Sequence, residues 1–114
     1  MHEMSVLSSI LEIVNQTAKE AGAERVTRIN LVIGERANLV DDSLWFAFSL
    51  LSRGTLCAEA ELNIRHTRLS FYCATCQSNY TPPIDNFRCP VCHQIGQITG
   101  DGREMLIESI EVAD

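Results

Sequence analysis

The chain opens with apolar residues spaced three and four positions apart, which is the period of an amphipathic helix. This apolar stripe consists of Leu7, Ile10, Leu11, Val14, Ala18 and Ala21. Charged and amide side chains between Glu12 and Glu20 take the opposite side. Gly22 follows the last apolar position and is a good helix terminator. The pattern therefore predicts a first helix that stops at Gly22.

Alternation of apolar and polar positions replaces the helical period in two later segments. Residues 26–33 and 58–66 alternate in this way and are predicted to be strands. Between them we predict a second helix over residues 43–52, capped by Asp41 or Asp42. Its buried stripe would consist of Leu44, Ala47, Phe48 and Leu51. Because a strand–helix–strand crossover joins parallel neighbours, the two strands are predicted to be parallel.

Four of the five cysteines fall into two C-x2-C pairs, Cys73 with Cys76 and Cys89 with Cys92. Two residues between thiolates let both point at one ion, and two such turns supply the four ligands of a tetrahedral zinc site. Four thiolates leave no open coordination position, which indicates a structural site. A redox pair is the alternative, but such pairs are expected at a strand-to-helix turn, and these lie in turn-rich sequence. Cys57 is left over and is predicted to be a small buried hydrophobe.

The segment around the paired cysteines, residues 69–102, is poor in large apolar side chains. Structural zinc contributes roughly 10–16 kcal/mol of apparent binding free energy, enough to replace a hydrophobic core. Residues 105–112 have strand character again, and we expect them to return to the first sheet. The predicted fold class is α+β: a small three-stranded sheet with two helices, plus a zinc-ribbon-like four-cysteine module inserted before the last strand. The expected domains are residues 1–68 completed by 103–114, and a zinc-binding domain at 69–102.

The composition limits the classes of partner. The 114 residues are 46% hydrophobic and 21% charged, with a net charge of −6, which is ordinary for one globular domain. This acidity opposes binding to nucleic acid and to anionic membranes. Arg88 is the only Lys or Arg in residues 69–102, so we expect no nucleic-acid partner. With no signal-peptide pattern and no long apolar run, we expect a cytoplasmic protein without a membrane partner.

The first three residues, Met1-His2-Glu3, form a second candidate metal site. Initiator methionine is normally trimmed only before small residues, so a bulky His2 is expected to leave Met1 in place. The amine of Met1, the backbone nitrogen of His2 and its imidazole can then chelate one ion. A deprotonated backbone nitrogen favours square-planar Ni(II) or Cu(II). Glu3 can add a backbone nitrogen or a carboxylate. The alternative is a solvated, frayed terminal histidine.

The other two histidines do not define a site of their own. His66 lies on the same side of its predicted strand as the apolar residues, which predicts a packed or hydrogen-bonded side chain. His93 follows Cys92 and is predicted to lie in the outer zinc shell, to exchange with a thiolate, or to be exposed. The chain has no nucleophile–base pair, no phosphate-binding glycine loop and no adjacent catalytic carboxylates, so we do not expect an enzyme.

Several motifs occur together in a familiar order. They are Met-His-Glu at residues 1–3, an amphipathic helix, Val-Ile-Gly-Glu at 32–35, the double C-x2-C with Cys-Pro-Val-Cys-His at 89–93, and a short returning strand. In this order and at this length, the whole chain resembles the HypA/HybF family of hydrogenase maturation nickel chaperones. The resemblance implies a nickel-binding α/β domain with two helices on a three-stranded sheet, and a separate zinc domain.

The resemblance also implies roles for residues and partners. His2 matches the nickel ligand, Glu3 the acidic residue that tunes the site, and the four paired cysteines the zinc ligands. An acidic residue linked to nickel handling would be Asp41 or Asp42. Members deliver Ni(II) for the active site of the [NiFe]-hydrogenase large-subunit precursor with the GTPase HypB, and in some bacteria they feed urease accessory proteins. The competing interpretation is a zinc-stabilised protein-interaction adaptor that transfers no metal.

Overall fold

In a computed structural model that describes residues 2–114, the first apolar stripe folds as helix α1, His2–Glu20. All members of the stripe except the last are buried: Leu7, Ile10, Leu11, Val14 and Ala18. Gly22 follows the helix with a φ of +71°, the left-handed conformation that commonly closes helices. The predicted helix and its stop are confirmed. Ala21 lies beyond the last turn and is exposed, so it is not part of the buried stripe.

Helix α2, Asp41–Leu51, forms where it was predicted but is capped differently. Its N-cap residue is Val40 in an extended conformation, and no side chain caps it. The predicted cap by Asp41 or Asp42 was wrong. Both residues lie inside the first turn, where carboxylates interact favourably with the helix dipole. The start of α2 is instead held by a distant residue, because the N–H of Val40 donates to the carboxylate of Glu3 at 3.0 Å. The buried residues of α2 are Leu44, Ala47 and Phe48, with Leu51 half-buried.

The first sheet has three strands in the order β2-β1-β6. These are β1 (Arg25–Gly34), β2 (Glu61–Thr67) and β6 (Met105–Ala113). The predicted strand over residues 26–33 is confirmed by β1. The prediction for residues 58–66 began too early, because Ala58 and Ala60 donate turn hydrogen bonds to Thr55 and Cys57 before β2 starts.

Strands β1 and β2 run parallel, as the crossover predicted. Arg28 contacts Glu61, and two residues further along both strands Asn30 contacts Asn63. The contacts therefore advance in the same direction on the two strands. Helix α2 lies between them in sequence and packs on α1.

Strand β6 runs antiparallel to β1. Asn30 donates to Ser109, whereas Arg28, which comes earlier in β1, contacts Glu111, which comes later in β6. The predicted return of the last strand to the first sheet is confirmed. The elements before it, β3 (Ser70–Cys73), β4 (Ser78–Tyr80) and β5 (Gln97–Gly100), form a separate sheet.

The chain divides into two compact units. The first consists of the chain up to Val32 together with Leu39–Arg65 and Leu106–Asp114, and contains α1 and α2. The second consists of Ile33–Asn38 and His66–Met105, and contains the four paired cysteines. This is the expected α+β class, with the four-cysteine module inserted before the last strand.

The second unit has an antiparallel sheet of order β4-β3-β5. Its core consists of Leu69, Phe71, Cys73, Tyr80 and Cys89, with Cys76 and Cys92 packed against it. Phe71 and Tyr80 stack with ring centroids 5.4 Å apart. Tyr72 and Phe87 are more than a third exposed, so only two of the four aromatic side chains in this region are core residues. The cysteines themselves therefore make up much of this core.

The Val-Ile-Gly-Glu motif has a structural role at the edge of this unit. Gly34 lies so close to Gly102 that an added Cβ would overlap the carbonyl of Gly102. The N–H of Gly34 donates to the carbonyl of Glu104 at 2.7 Å. The carboxylate of Glu35 accepts the N–H of Leu69, also at 2.7 Å. The motif thus ties the end of β1 to the segments that enter and leave the cysteine module.

Among residues 2–114, no helix is long and apolar enough to cross a membrane.

Candidate metal centre

The four paired cysteines sit on two tight turns of the second unit. Cys73 ends β3, and the turn through Cys76 leads into β4. The second turn is closed by backbone hydrogen bonds from Cys89 to the carbonyl of Gln94 and from His93 to the carbonyl of Cys89. The residue after each pair has a left-handed φ, 51° at Gln77 and 64° at His93. Because such values are uncommon for non-glycine residues, the two turns share a specific conformation.

These turns bring four sulfur atoms together. The sulfurs of Cys73, Cys76, Cys89 and Cys92 all lie within 4.8 Å of one another. Two of the separations are 3.5 Å, between Cys73 and Cys92, and 3.9 Å, between Cys76 and Cys89. A tetrahedral ion with Zn–S bonds of about 2.3 Å places its sulfurs about 3.8 Å apart. The cluster therefore has the donor set and the dimensions of a tetrathiolate site. The separations are also too long for disulfides.

The thiols of Cys89 and Cys76 differ in their pKa. The backbone N–H groups of Cys92 and Val91 donate to the sulfur of Cys89 and lower its pKa to about 7. Burial and the neighbouring cysteine sulfurs raise the pKa of Cys76 to about 12. Four adjacent thiolates are unfavourable without a positive charge between them, and a coordinated divalent ion stabilises all of them. The arrangement can hold a soft ion firmly, and it offers no fifth position for a substrate.

Neither His93 nor Cys57 is one of the four clustered residues. The His93 side chain is exposed, while its carbonyl accepts a hydrogen bond from Arg88 at 3.0 Å. Cys57 is fully buried, 3.4 Å from the amide oxygen of Asn15, and burial raises its pKa. The prediction of Cys57 as a small buried residue is confirmed. His66 is exposed on β2, so its side chain is not packed in the core. Its hydrogen-bonded alternative stays a prediction.

The amino-terminal residues lie in the first unit. His2 is exposed on the first turn of α1, and Glu3 next to it is 9% exposed. The Glu3 carboxylate accepts hydrogen bonds from the N–H of Val40 and from its own N–H, which lower its pKa. The Met1 amine of the predicted chelate lies outside the described residues. Val40 could not be predicted from the sequence as the partner of Glu3, because it contributes only its backbone N–H.

Two helices, a small three-stranded sheet and an inserted four-cysteine site define a small metal-binding α+β protein. A family model described as "Hydrogenase/urease nickel incorporation, metallochaperone, hypA" matches residues 1–112. The chain therefore belongs to the HypA family of nickel-incorporation metallochaperones for hydrogenase and urease, which confirms the expected family.

Individual relatives agree with this membership. The chain is 34% identical over 114 residues to "Hydrogenase maturation factor HypA" of Desulfitobacterium hafniense, covering all of both chains. It is 39% identical over 113 residues to the protein of the same name from Chloroflexus aggregans, covering 97% of this chain and 98% of that one. The solution structure of the Ni metallochaperone HypA from Helicobacter pylori matches with a TM-score of 0.66 at 30% identity, covering 97% of each chain.

Proposed function

We propose that this protein binds Ni(II) at its amino terminus and delivers it for maturation of [NiFe]-hydrogenase, and of urease in organisms that make that enzyme. One observation carries the proposal: a chain of the nickel-incorporation family presents an exposed His2 on the first turn of α1. Nickel is then cargo, and the protein acts as a carrier without catalysing a reaction.

The start of α1 supports a chelate built on backbone nitrogen. The first four N–H groups of an α-helix have no partner within the helix. Because α1 begins at His2, the N–H of His2 is one of these groups. Its exposed imidazole is within the same residue, and the Met1 amine is one residue away in the chain. Together they supply the three nitrogens of a square-planar Ni(II) site.

The contacts of Glu3 favour a supporting role for its side chain. Its carboxylate already accepts the N–H of Val40 at 3.0 Å, so this oxygen is engaged within the protein. We assign to Glu3 the task of holding the start of α2 beside the start of α1. Asp41 and Asp42 follow Val40 directly in the first turn of α2. The Glu3–Val40 contact therefore supports the proposal that one of them, Asp41 or Asp42, takes part in nickel handling.

The four-cysteine cluster is proposed to hold zinc as a structural ion. Its donor set and sulfur spacing fit zinc, and the closed site leaves nickel chemistry to the amino terminus. We therefore propose residues 69–102 as the zinc domain, and residues 1–68 with 103–114 as the nickel domain. Four cysteines without disulfides suit the reducing cytoplasm, which is the proposed location.

The proposed partners follow from family membership. They are a HypB-type GTPase, the hydrogenase large-subunit precursor and, where urease is made, its accessory proteins. The alternative adaptor function would use the same partners without metal transfer, so nickel binding at His2 separates the two.

Calorimetric titration of Ni(II) into untagged protein tests the proposal. We expect specific nickel binding in the wild type and its loss in His2→Ala, with one zinc per chain retained in both. His66→Ala is the matched control, because it removes another exposed histidine and should leave nickel affinity unchanged. Unchanged nickel affinity in His2→Ala would sink the proposal, and weak binding in the wild type would favour the adaptor.

A further inference from the structure

A cavity opens on the second unit beside the turn that carries Cys89. Its volume is about 420 Å³, within the range of roughly 300–1,000 Å³ that is usual for small-ligand pockets. The apolar part of its lining consists of Tyr80, Pro82, Pro83 and Pro90. The polar part includes Asn86, Arg88 and His93. An apolar wall with a few polar groups is the usual composition of a ligand site.

Hydrogen bonds and prolines hold the walls of this cavity in a fixed shape. The Tyr80 hydroxyl donates to the carbonyl of Phe87 at 2.8 Å and accepts the N–H of Gly96 at 2.9 Å. The side-chain oxygen of Asn86 accepts the N–H of Arg88 at 3.2 Å. The three prolines fix their own φ angles. The cavity is therefore largely preformed, which lowers the entropy cost of binding a ligand.

Arg88 gives the cavity a positive charge that is not neutralised by an ion pair. It is the only Lys or Arg in residues 69–102, and none of the described residues that line the cavity is acidic. Among residues 2–114, the ion pairs do not include Arg88. Its Nη1 donates to the carbonyl of His93 at 3.0 Å, which holds the side chain in place. Because a guanidinium has five N–H donors, others are left for a ligand.

We propose that this cavity binds a peptide carboxylate that is attached to an apolar body. The planar guanidinium of Arg88 matches a carboxylate and binds it through two parallel hydrogen bonds. The apolar body of the ligand then lies against Tyr80 and the prolines. Two sources share this chemistry: the carboxyl terminus of a peptide, and an aspartate or glutamate side chain with apolar neighbours.

The surroundings of the cavity favour a carboxylate over a phosphate group. The lining includes Cys89 of the four-cysteine cluster. Four thiolates outweigh the charge of a divalent ion, so the loaded cluster is negative and repels a dianion more strongly than a monoanion. A phosphate ion also has no apolar part to lie against the prolines. The site therefore suits a singly charged, partly apolar ligand.

Titration of isotope-labelled, zinc-loaded, untagged protein with short peptides, followed by heteronuclear NMR, tests the proposal. The probes are acetyl-Gly-Leu-Leu with a free carboxylate, the same peptide as its carboxamide, and acetyl-Leu-Glu-Leu carboxamide. Resonances of Asn86 and Arg88 should shift with the first probe if the source is a carboxyl terminus, and with the third if it is an acidic side chain. The indole resonance of Trp45, in the first unit, should stay unchanged. The first peptide as its carboxamide should bind at least about tenfold more weakly than a carboxylate probe that binds, because it lacks the charge-assisted bonds.

Arg88→Gln should lose the preference for a carboxylate over the carboxamide. Arg103→Gln is the matched control, because it removes another exposed arginine of the second unit that does not line the cavity. Zinc content is measured for each variant, since Arg88 also contacts the second cysteine turn. The comparison of carboxylate and carboxamide needs no variant and stays decisive if Arg88→Gln loses zinc.

Three results would overturn the proposal. The first is that neither carboxylate probe shifts the cavity resonances. The second is that the carboxamide, or inorganic phosphate, binds as tightly as the carboxylate probes. The third is that zinc-loaded Arg88→Gln binds the carboxylate probes as the wild type does.

Discussion

Removal of the metal from the four-cysteine site should unfold the second unit and leave the first unit folded. The perturbation is a strong chelator applied to untagged protein under reducing conditions. We expect the second unit to depend on a bound metal, because the buried cluster that contains the cysteines includes only three side chains of other types: Leu69, Phe71 and Tyr80. The first unit has its own core between α1, α2 and the sheet, with Leu7, Ile10, Ile29, Leu31 and Leu44 fully or almost fully buried.

The magnitudes support this outcome. Burying three large apolar side chains contributes roughly 5–9 kcal/mol, at about 1.5–3 kcal/mol each. A structural zinc site contributes roughly 10–16 kcal/mol of apparent binding free energy. Loss of the metal therefore removes more stabilisation than the rest of the core supplies. The 37 residues between Thr67 and Met105 then become a flexible loop, whose closure costs the first unit about 3 kcal/mol.

The chain carries separate optical reporters for the two units. Its one tryptophan, Trp45, lies in α2, and its indole N–H donates to the carbonyl of Leu62. Its two tyrosines, Tyr72 and Tyr80, lie in β3 and β4 of the second unit. On chelation, the near-ultraviolet tyrosine signal should collapse while the Trp45 emission maximum stays constant. The denaturant midpoint followed by Trp45 should fall.

Cys73→Ser supplies a second route to the same state, because it removes one ligand without a chelator. Cys57→Ser is the control, since Cys57 belongs to the first unit and ligates nothing in the cluster. Tyrosine signals that persist after complete zinc loss would refute the reasoning. A single transition in which Trp45 and the tyrosines change together would refute the independence of the two units.

Three further changes test individual contacts by denaturant unfolding. Gly34→Ala should lose about 3 kcal/mol, because its Cβ would overlap the Gly102 carbonyl. Gly22→Ala, with open space around it but a positive φ, should lose only about 1–2 kcal/mol, and equal losses would contradict the overlap argument. Leu44→Ala should lose about 2–5 kcal/mol through a cavity in the first unit, and a neutral result would argue against its burial. Glu3→Gln should be less stable than the wild type above pH 4.5, because hydrogen bonds lower the Glu3 pKa below that value, and the difference should close as the pH falls further. A difference that is independent of pH would show that the Glu3 charge is unimportant.

The elements of the fold were predictable where a local pattern decided them. The period of α1 and the alternation of β1 are properties of single segments that bury one face, so both appear in the sequence. The crossover rule gave the parallel pairing of β1 and β2. The C-x2-C spacing predicted which four cysteines come together, because each turn is local.

Features that depend on distant contacts were missed. The cap of α2 was assigned to a neighbouring aspartate, whereas the N–H of Val40 is bound by Glu3, 37 residues away. The exposure of His66 was missed because strand parity predicts the face of the sheet and not how far that face is covered. At the amino terminus, residue chemistry indicated which metal Met1, His2 and Glu3 would prefer, but only resemblance to the family made a nickel site the better interpretation of these residues.

Nickel K-edge X-ray absorption on untagged protein loaded with one equivalent of Ni(II) tests the central claim most directly. That claim is that nickel and zinc occupy different sites, with nickel at the amino terminus and zinc on the four cysteines. The account predicts a square-planar nickel with nitrogen and oxygen donors, including an imidazole, and no sulfur. Sulfur scattering at nickel, or a nickel spectrum unchanged in His2→Ala, would contradict it.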